Sequence, residues 1–204
     1  MKRRRVSTRF RLYTVVATLV AFTLVTSGCV PAAPPAHADY PGYSSIGDIA
    51  DAADLVVHVK FMSADEEVLH PALVSEGDPA IHPQAGLDEQ ELEAAMRDGA
   101  VPVTVSTVQI LEVLAGSGSA PGDLIRISQL GTREQSSAET TLLSALSPDD
   151  TAVLFLRSWG ADPYDLLNPE QGMFVISRDG NVRALSSDPR FTVSSLGALR
   201  AAAR

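Results

Sequence analysis

VPVTVSTVQILEVL, residues Val101 to Leu114, is dense in β-branched side chains, which lose rotamer freedom in a helix and pack well on a pleated surface. Its apolar residues alternate, Val101, Val103 and Val105, and then resume one step out of phase at Val108 and Ile110. Period-two alternation is the signature of a strand with one face on a core. A one-residue slip near Ser106-Thr107 is what a β-bulge produces, and a bulge lets a long strand bend around the corner of a barrel.

Outward from this strand the pattern stays β-rich. Gly116 to Gly122 is a turn, and Leu124 to Leu130 (LIRISQL) a second strand. A polar loop follows, then Leu142 to Leu146 and a turn at Ser147-Pro148-Asp149-Asp150. Ala152 to Arg157 (AVLFLR), apolar up to its last residue, reads as a central strand. Met173 to Ser177 and Asn181 to Leu185 flank Arg178-Asp179-Gly180, a strong hairpin signal. Upstream, Leu55 to Met62 (LVVHVKFM) alternates and places His58 and Lys60 together on a wet face. Between that strand and Val101 lies an acidic stretch, residues 64–100, read as an insertion. Inside it Asp88 to Asp98 looks helical, with Asp88 as cap, Glu91 three residues on and Gly99 as stop. Ser45 caps a short helix running to about Ala53, and a closing helix lies within Thr192 to Ala203 behind Ser194 or Ser195. The expectation is a mainly β domain over residues 45–204 with peripheral helices. Its architecture would be a small OB-like closed or partly open barrel of five to six strands.

The 204-residue chain carries a formal net charge of −9, unevenly spread. Six basic residues stand between Lys2 and Arg11; the remainder holds ten basic against 25 acidic residues, a net of −15. A body so acidic is repelled by nucleic-acid phosphates and by anionic headgroups, so no nucleic-acid partner is expected.

The basic start leads into Leu12 to Val25, an uncharged apolar run suited to a signal-peptide core and shorter than the ~20 residues that span a bilayer. Thr26-Ser27-Gly28-Cys29 follows at once and resembles the lipobox of bacterial lipoproteins, with Thr26 where Leu, Val or Ile is usual. The resemblance implies residues 1–28 as signal peptide and acylation of Cys29. Cys29 is the only cysteine, so no intrachain disulfide forms, and acylation removes a lone thiol from an oxidising compartment. Two or more acyl chains anchor stably where one is marginal. Residues 29–44, rich in Pro and Ala, then act as a semi-stiff tether. The competing arrangement is cleavage after Ala38, at Ala36-His37-Ala38, which releases a soluble secreted protein.

Further segments resemble an uncharacterised group of exported proteins from high-GC Gram-positive bacteria. These are Ala53-Asp54-Leu55-Val56-Val57, Thr104-Val105-Ser106-Thr107-Val108, Glu112-Val113-Leu114-Ala115-Gly116, Pro121-Gly122-Asp123, Val153-Leu154-Phe155-Leu156 and Gln171-Gly172-Met173-Phe174. They are strand cores and turns, so the likeness speaks for fold and is silent on activity. More distantly the layout is similar to the OB-type barrel of netrin-like and metalloproteinase-inhibitor domains. The inhibitory mechanism of those domains needs an N-terminal cysteine and disulfides, and does not carry over.

Chemistry-bearing residues are sparse. Glu66 or Glu67 with His70 and His82 form a weak metal set: Pro71 follows directly, and solvated loop residues are the better reading. Calcium binding by the acidic stretch has no D-x-D-x-D-G spacing behind it. Gly116-Ser117-Gly118-Ser119 leads to another strand and not to a helix, so it is a turn rather than a phosphate loop. His37, His58, His70 and His82 all precede residue 83, so any Ser-His-Asp site assembles only in the fold. Trp159 and Tyr164, on a Gly/Pro-rich loop, are the candidate interaction surface; the plainer arrangement, which the sequence favours, has Trp159 capping the core. No cofactor, metal or catalytic residue is assigned. The leading reading is a non-enzymatic binding module on the outer face of the cell membrane. Its partners are the membrane, through the lipid, and an unidentified protein or small molecule. An extracytoplasmic hydrolase and a calcium-dependent surface protein are the alternatives.

Overall fold

The computed structural model describes residues 39–70, 77–78, 80–81, 84–132, 146, 150–160 and 162–203. The expected signal peptide, Cys29, the expected tether as far as Ala38, and most of Leu142 to Asp149 lie outside the described residues. What is described is a mainly β unit: one mixed seven-stranded sheet and three α-helices.

β1 (Leu55–Leu69) and β2 (Val101–Gly116) form a long antiparallel pair, and β2 continues onto β3 (Leu124–Leu130). The other edge of β1 carries β4 (Thr151–Arg157). β5 (Tyr164–Leu166) lies parallel to β3 at Ile127↔Tyr164 and antiparallel to β4 at Arg157↔Asp165. The pairings therefore run in a ring, β1–β2–β3–β5–β4–β1. β6 (Met173–Ile176) shares the far edge of β4 with β5, and β7 (Val182–Ala184) closes the sheet as the expected hairpin. Gly180 takes φ +83° in that turn, and Ser177 N–H bonds the Asn181 carbonyl at 3.0 Å.

Ala152 to Leu156 are all apolar because β4 has a core on each side. Ala152, Leu154 and Leu156 join Val57, Val59, Val108, Ile110 and Ile127 in one core. Val153 and Phe155 join Phe174, Ile176 and Phe191 in the other, where the Phe155 and Phe174 rings stand 5.8 Å apart. That second core is roofed by α1 (Ile46–Ala52) and α3 (Leu196–Ala202), which contribute Ile46, Ile49 and Leu199. Ser45 and Ser195 cap them, accepting from Asp48 N and Ala198 N. α2 (Glu89–Asp98) has the expected capping box between Asp88 and Glu91, yet buries no residue.

Three expectations need correction. The slip in β2 is not at Ser106-Thr107, since β2 and β3 stay in register from Val103 to Gln109. At that level the extra residue is Met62, on β1, between Phe61↔Val108 and Ser63↔Thr107; β2 carries its own extra residues at Leu111 and Leu114. The phase change arises because Val103 to Ser106 are buried on both faces. Next, residues 64–69 belong to β1, paired with 101–106, so the stretch joining β1 to β2 begins after Leu69 and not at residue 64. Lastly, the three-residue strand β5 raises the count to seven.

Two glycines are forced: a Cβ at Gly172 would stand 2.7 Å from the Asn168 carbonyl oxygen. Gly116 ends β2 at φ +94°, and a Cβ there would stand 2.3 Å from the Asp54 carbonyl oxygen, a contact no side chain tolerates.

Candidate functional site

The site is built around the loop joining β4 to β5, residues 158–163. Its first turn is fixed by Ser158 N–H donating to the Asp54 carboxylate at 2.9 Å and Gly160 N–H donating to Ser158 Oγ at 3.2 Å. Its far end is fixed by Arg126 N–H donating to Asp162 Oδ1 at 3.3 Å. Between them Trp159 stands 71% exposed. It does not cap a core, as the sequence favours; it is a surface residue. The indole is nevertheless held: Nε1–H donates to Asp165 Oδ2 at 2.8 Å, and the Arg157 guanidinium lies 5.8 Å from the ring centroid. Cation–π and hydrogen-bond contacts of this kind set a ring's orientation without burying it.

Trp159 forms one lip of a cleft of about 330 Å³ with a mostly apolar lining. Ser128, Gln129 and Leu130 come from β3, Leu166 and Leu167 from β5 and beyond, and Leu69 from the end of β1. Tyr40 and Pro41 complete the wall, where the chain enters the described unit. That point of arrival is latched. Asn168 Nδ2 donates to the Pro41 carbonyl at 3.1 Å. Gln171 exchanges two bonds with the Tyr43 backbone, accepting at 2.8 Å and donating at 3.3 Å. Asn168 Oδ1 in turn accepts from Glu170 N and Gln171 N, both at 2.9 Å, which sets Gln171 in place.

Tyr164 is not part of this cleft. It is half-buried on β5 against the ring-side core and faces a wider, open hollow of about 700 Å³ with Thr107, Asp123, Arg126 and Asp162. The two aromatics thus line different hollows on either side of one loop and form no joint patch. Arg126 pairs with Glu67 and, at 3.5 Å, with Asp162; Glu67 foremost holds its guanidinium above the usual range.

The nearest approach to catalytic geometry lies elsewhere. His58 Nε2 is 2.7 Å from Thr151 Oγ1, and His58 faces Glu112 across β1–β2. Glu112 is occupied by Arg200 of α3, which donates from Nε at 2.8 Å and from Nη2. Burial lowers the His58 pKa, with Glu112 partly opposing and Arg200 assisting. The hydrogen bond from Arg200 holds Glu112 below the usual carboxylate range. A hydroxyl, an imidazole and a carboxylate are thus neighbours, but none of them lines either hollow. The histidine is half-buried, on the face of β1 that it shares with the exposed Lys60.

The helical spacing that would align Glu66 with His70 does not arise, because Glu66 and Glu67 are in β1. His70 Nδ1 lies 3.5 Å from the Met96 carbonyl, and His82 is outside the described residues. Among the described residues no group of three or more His, Cys, Asp or Glu side chains is placed to hold a metal ion, and no helix is long and apolar enough to cross a membrane.

The sequence missed Asp165, Asn168 and Gln171 as parts of the site. Asn168-Pro169 is a turn dipeptide and marks the latch in retrospect; Asp165 gives no local signal, being defined by pairing opposite Arg157. The chain matches no family model, no curated protein and no solved structure.

Proposed function

We propose that the chain is an exported, membrane-tethered binding module, held at the outer face of the cell membrane by acyl chains on Cys29, with the Trp159 cleft as its binding surface. The observation that carries the binding reading is a single tryptophan, exposed yet fixed by Asp165 and Arg157, at the lip of an apolar cleft. A large exposed apolar ring is retained at sites of contact more readily than elsewhere on a surface. The address rests on the basic start, the apolar run and the Thr26-Ser27-Gly28-Cys29 lipobox resemblance, and the likeness to exported proteins of high-GC Gram-positive bacteria points the same way.

We take the ring of five strands as a small OB-type barrel. Strand order β1–β2–β3–β5–β4–β1 with a parallel β3–β5 contact supports that assignment. OB-type barrels bind through the loops after β1 and β4 and the neighbouring strand face. Leu69 ends β1 where the first of those loops departs, and Trp159 sits in the second, so the fold analogy and the cleft coincide. The acidic body turns this binding away from nucleic acids.

The test replaces Trp159 with the photo-crosslinking residue benzoylphenylalanine in intact cells, with Met96 on the bare helix α2 as control. The reading expects adducts from position 159 that are absent from position 96. Identical or absent adducts at both positions would contradict it.

A further inference from the structure

We infer that the Trp159 cleft faces the bilayer in which the chain is anchored, and that Trp159 with the apolar lip around Leu69 seats in the lipid interface. This rests on the reading of Cys29 as the lipid-bearing residue. Three observations carry it. The first is length: Tyr40, which lines the cleft, is eleven residues from Cys29, so even at full extension the cleft wall lies within about 38 Å of the acylated residue. A domain of about 160 residues is itself on the order of 40 Å across. Turning the cleft away from the bilayer would stretch the tether nearly taut, at the cost of its conformational freedom. The second is the latch. Asn168 and Gln171 fix the Pro41 and Tyr43 backbone, so the tether departs beside Trp159.

The third is the chemistry of the lip. Trp159 is 71% exposed and Leu69 44%, with Tyr40 and the Arg157 guanidinium alongside. Indole and phenol rings favour the boundary between headgroups and acyl chains, and an arginine there keeps its charge in the headgroups. Tethering supplies a high effective concentration, so weak contact suffices. It must do so against the acidic body, which anionic headgroups repel. The contact is therefore stronger on zwitterionic lipid, and on anionic lipid it strengthens with salt.

Trp159 is the only tryptophan, so its emission reports directly. Full-length lipidated protein is reconstituted into phosphatidylcholine or phosphatidylglycerol vesicles with acyl chains brominated near the headgroup, then floated on a density gradient. The inference expects the protein to float and to lose indole emission relative to unbrominated vesicles. The loss should be smaller on phosphatidylglycerol at low salt and equal on both lipids at high salt. Leu69→Asp, at an exposed position, should still float while emission recovers. Protein that floats but keeps its emission, and stays open to aqueous acrylamide, overturns the inference and leaves the anchor standing. Indole shielded only as protein density rises, without bromine quenching, assigns the lip to a second copy and also overturns it. Failure to float overturns the anchor and the inference together.

Discussion

Single residues show how the segments quoted from the sequence serve the fold. Gly116 ends Glu112-Val113-Leu114-Ala115-Gly116 where β2 passes the Asp54 backbone. A left-handed φ for a non-glycine residue and a core overlap each cost about 1–3 kcal/mol. Gly116→Ala should therefore lose about 2–6 kcal/mol in urea unfolding, with the urea slope unchanged. Ser106 makes the opposite case. It is fully buried and its hydroxyl has no hydrogen-bond partner among the described residues, so Ser106→Ala removes a group unpaired there. The variant should be neutral or more stable by about 1 kcal/mol in the same measurement; a clear loss would mean that the hydroxyl has a partner. His58 has a folded pKa below its unfolded value of about 6.5. In the window between the two, the unfolded chain binds more protons, so stability rises with pH there and levels off above about 6.5. Melting temperature should fall as pH drops from 7 towards 5, and His58→Gln should flatten that part of the profile.

At the scale of elements, how much the sequence reveals depends on how local the cause is. Caps and turns are local, so Ser45, Ser195, the Asp88–Glu91 box and the Arg178-Asp179-Gly180 hairpin all stand where the residues place them. Strand identity in β2, β3 and β4 was legible from β-branched alternation and the apolar run. The bulge was misplaced because a phase change in apolar residues has two causes, an inserted residue or a change in which face is covered, and one strand alone does not separate them. β5 was invisible: three residues are too few to show a period, and the strand exists through its neighbours β3 and β4. The site was half-legible for the same reason. Trp159 stood out as an aromatic in a Gly/Pro-rich loop, whereas its exposure and its separation from Tyr164 are tertiary facts. Helix α2 buries no residue, so its cap should matter only locally. Asp88→Ala should speed amide exchange in residues 89–98 and leave global unfolding within about 0.5 kcal/mol of the parent. A cooperative loss of several kcal/mol would mean that α2 is packed in the working protein.

For the whole molecule, fold and address are separate inheritances. The seven-stranded sheet is drawn from residues 55–184, while the proposed compartment rests on the first thirty-eight. Their meeting point in the proposal is the latched segment Pro41–Tyr43 beside the cleft, through which the proposed anchor at Cys29 would orient the proposed binding surface about the Trp159 indole. The claim on which the rest stands is acylation of Cys29, and mass spectrometry of the native N-terminus tests it most directly. The account predicts a mature chain that begins at Cys29 and carries diacylglyceryl mass, with Cys29→Ser releasing the protein to the medium or leaving it unprocessed. A chain recovered inside the cell with residues 1–28 still attached, or one beginning at Asp39 without lipid, would contradict it.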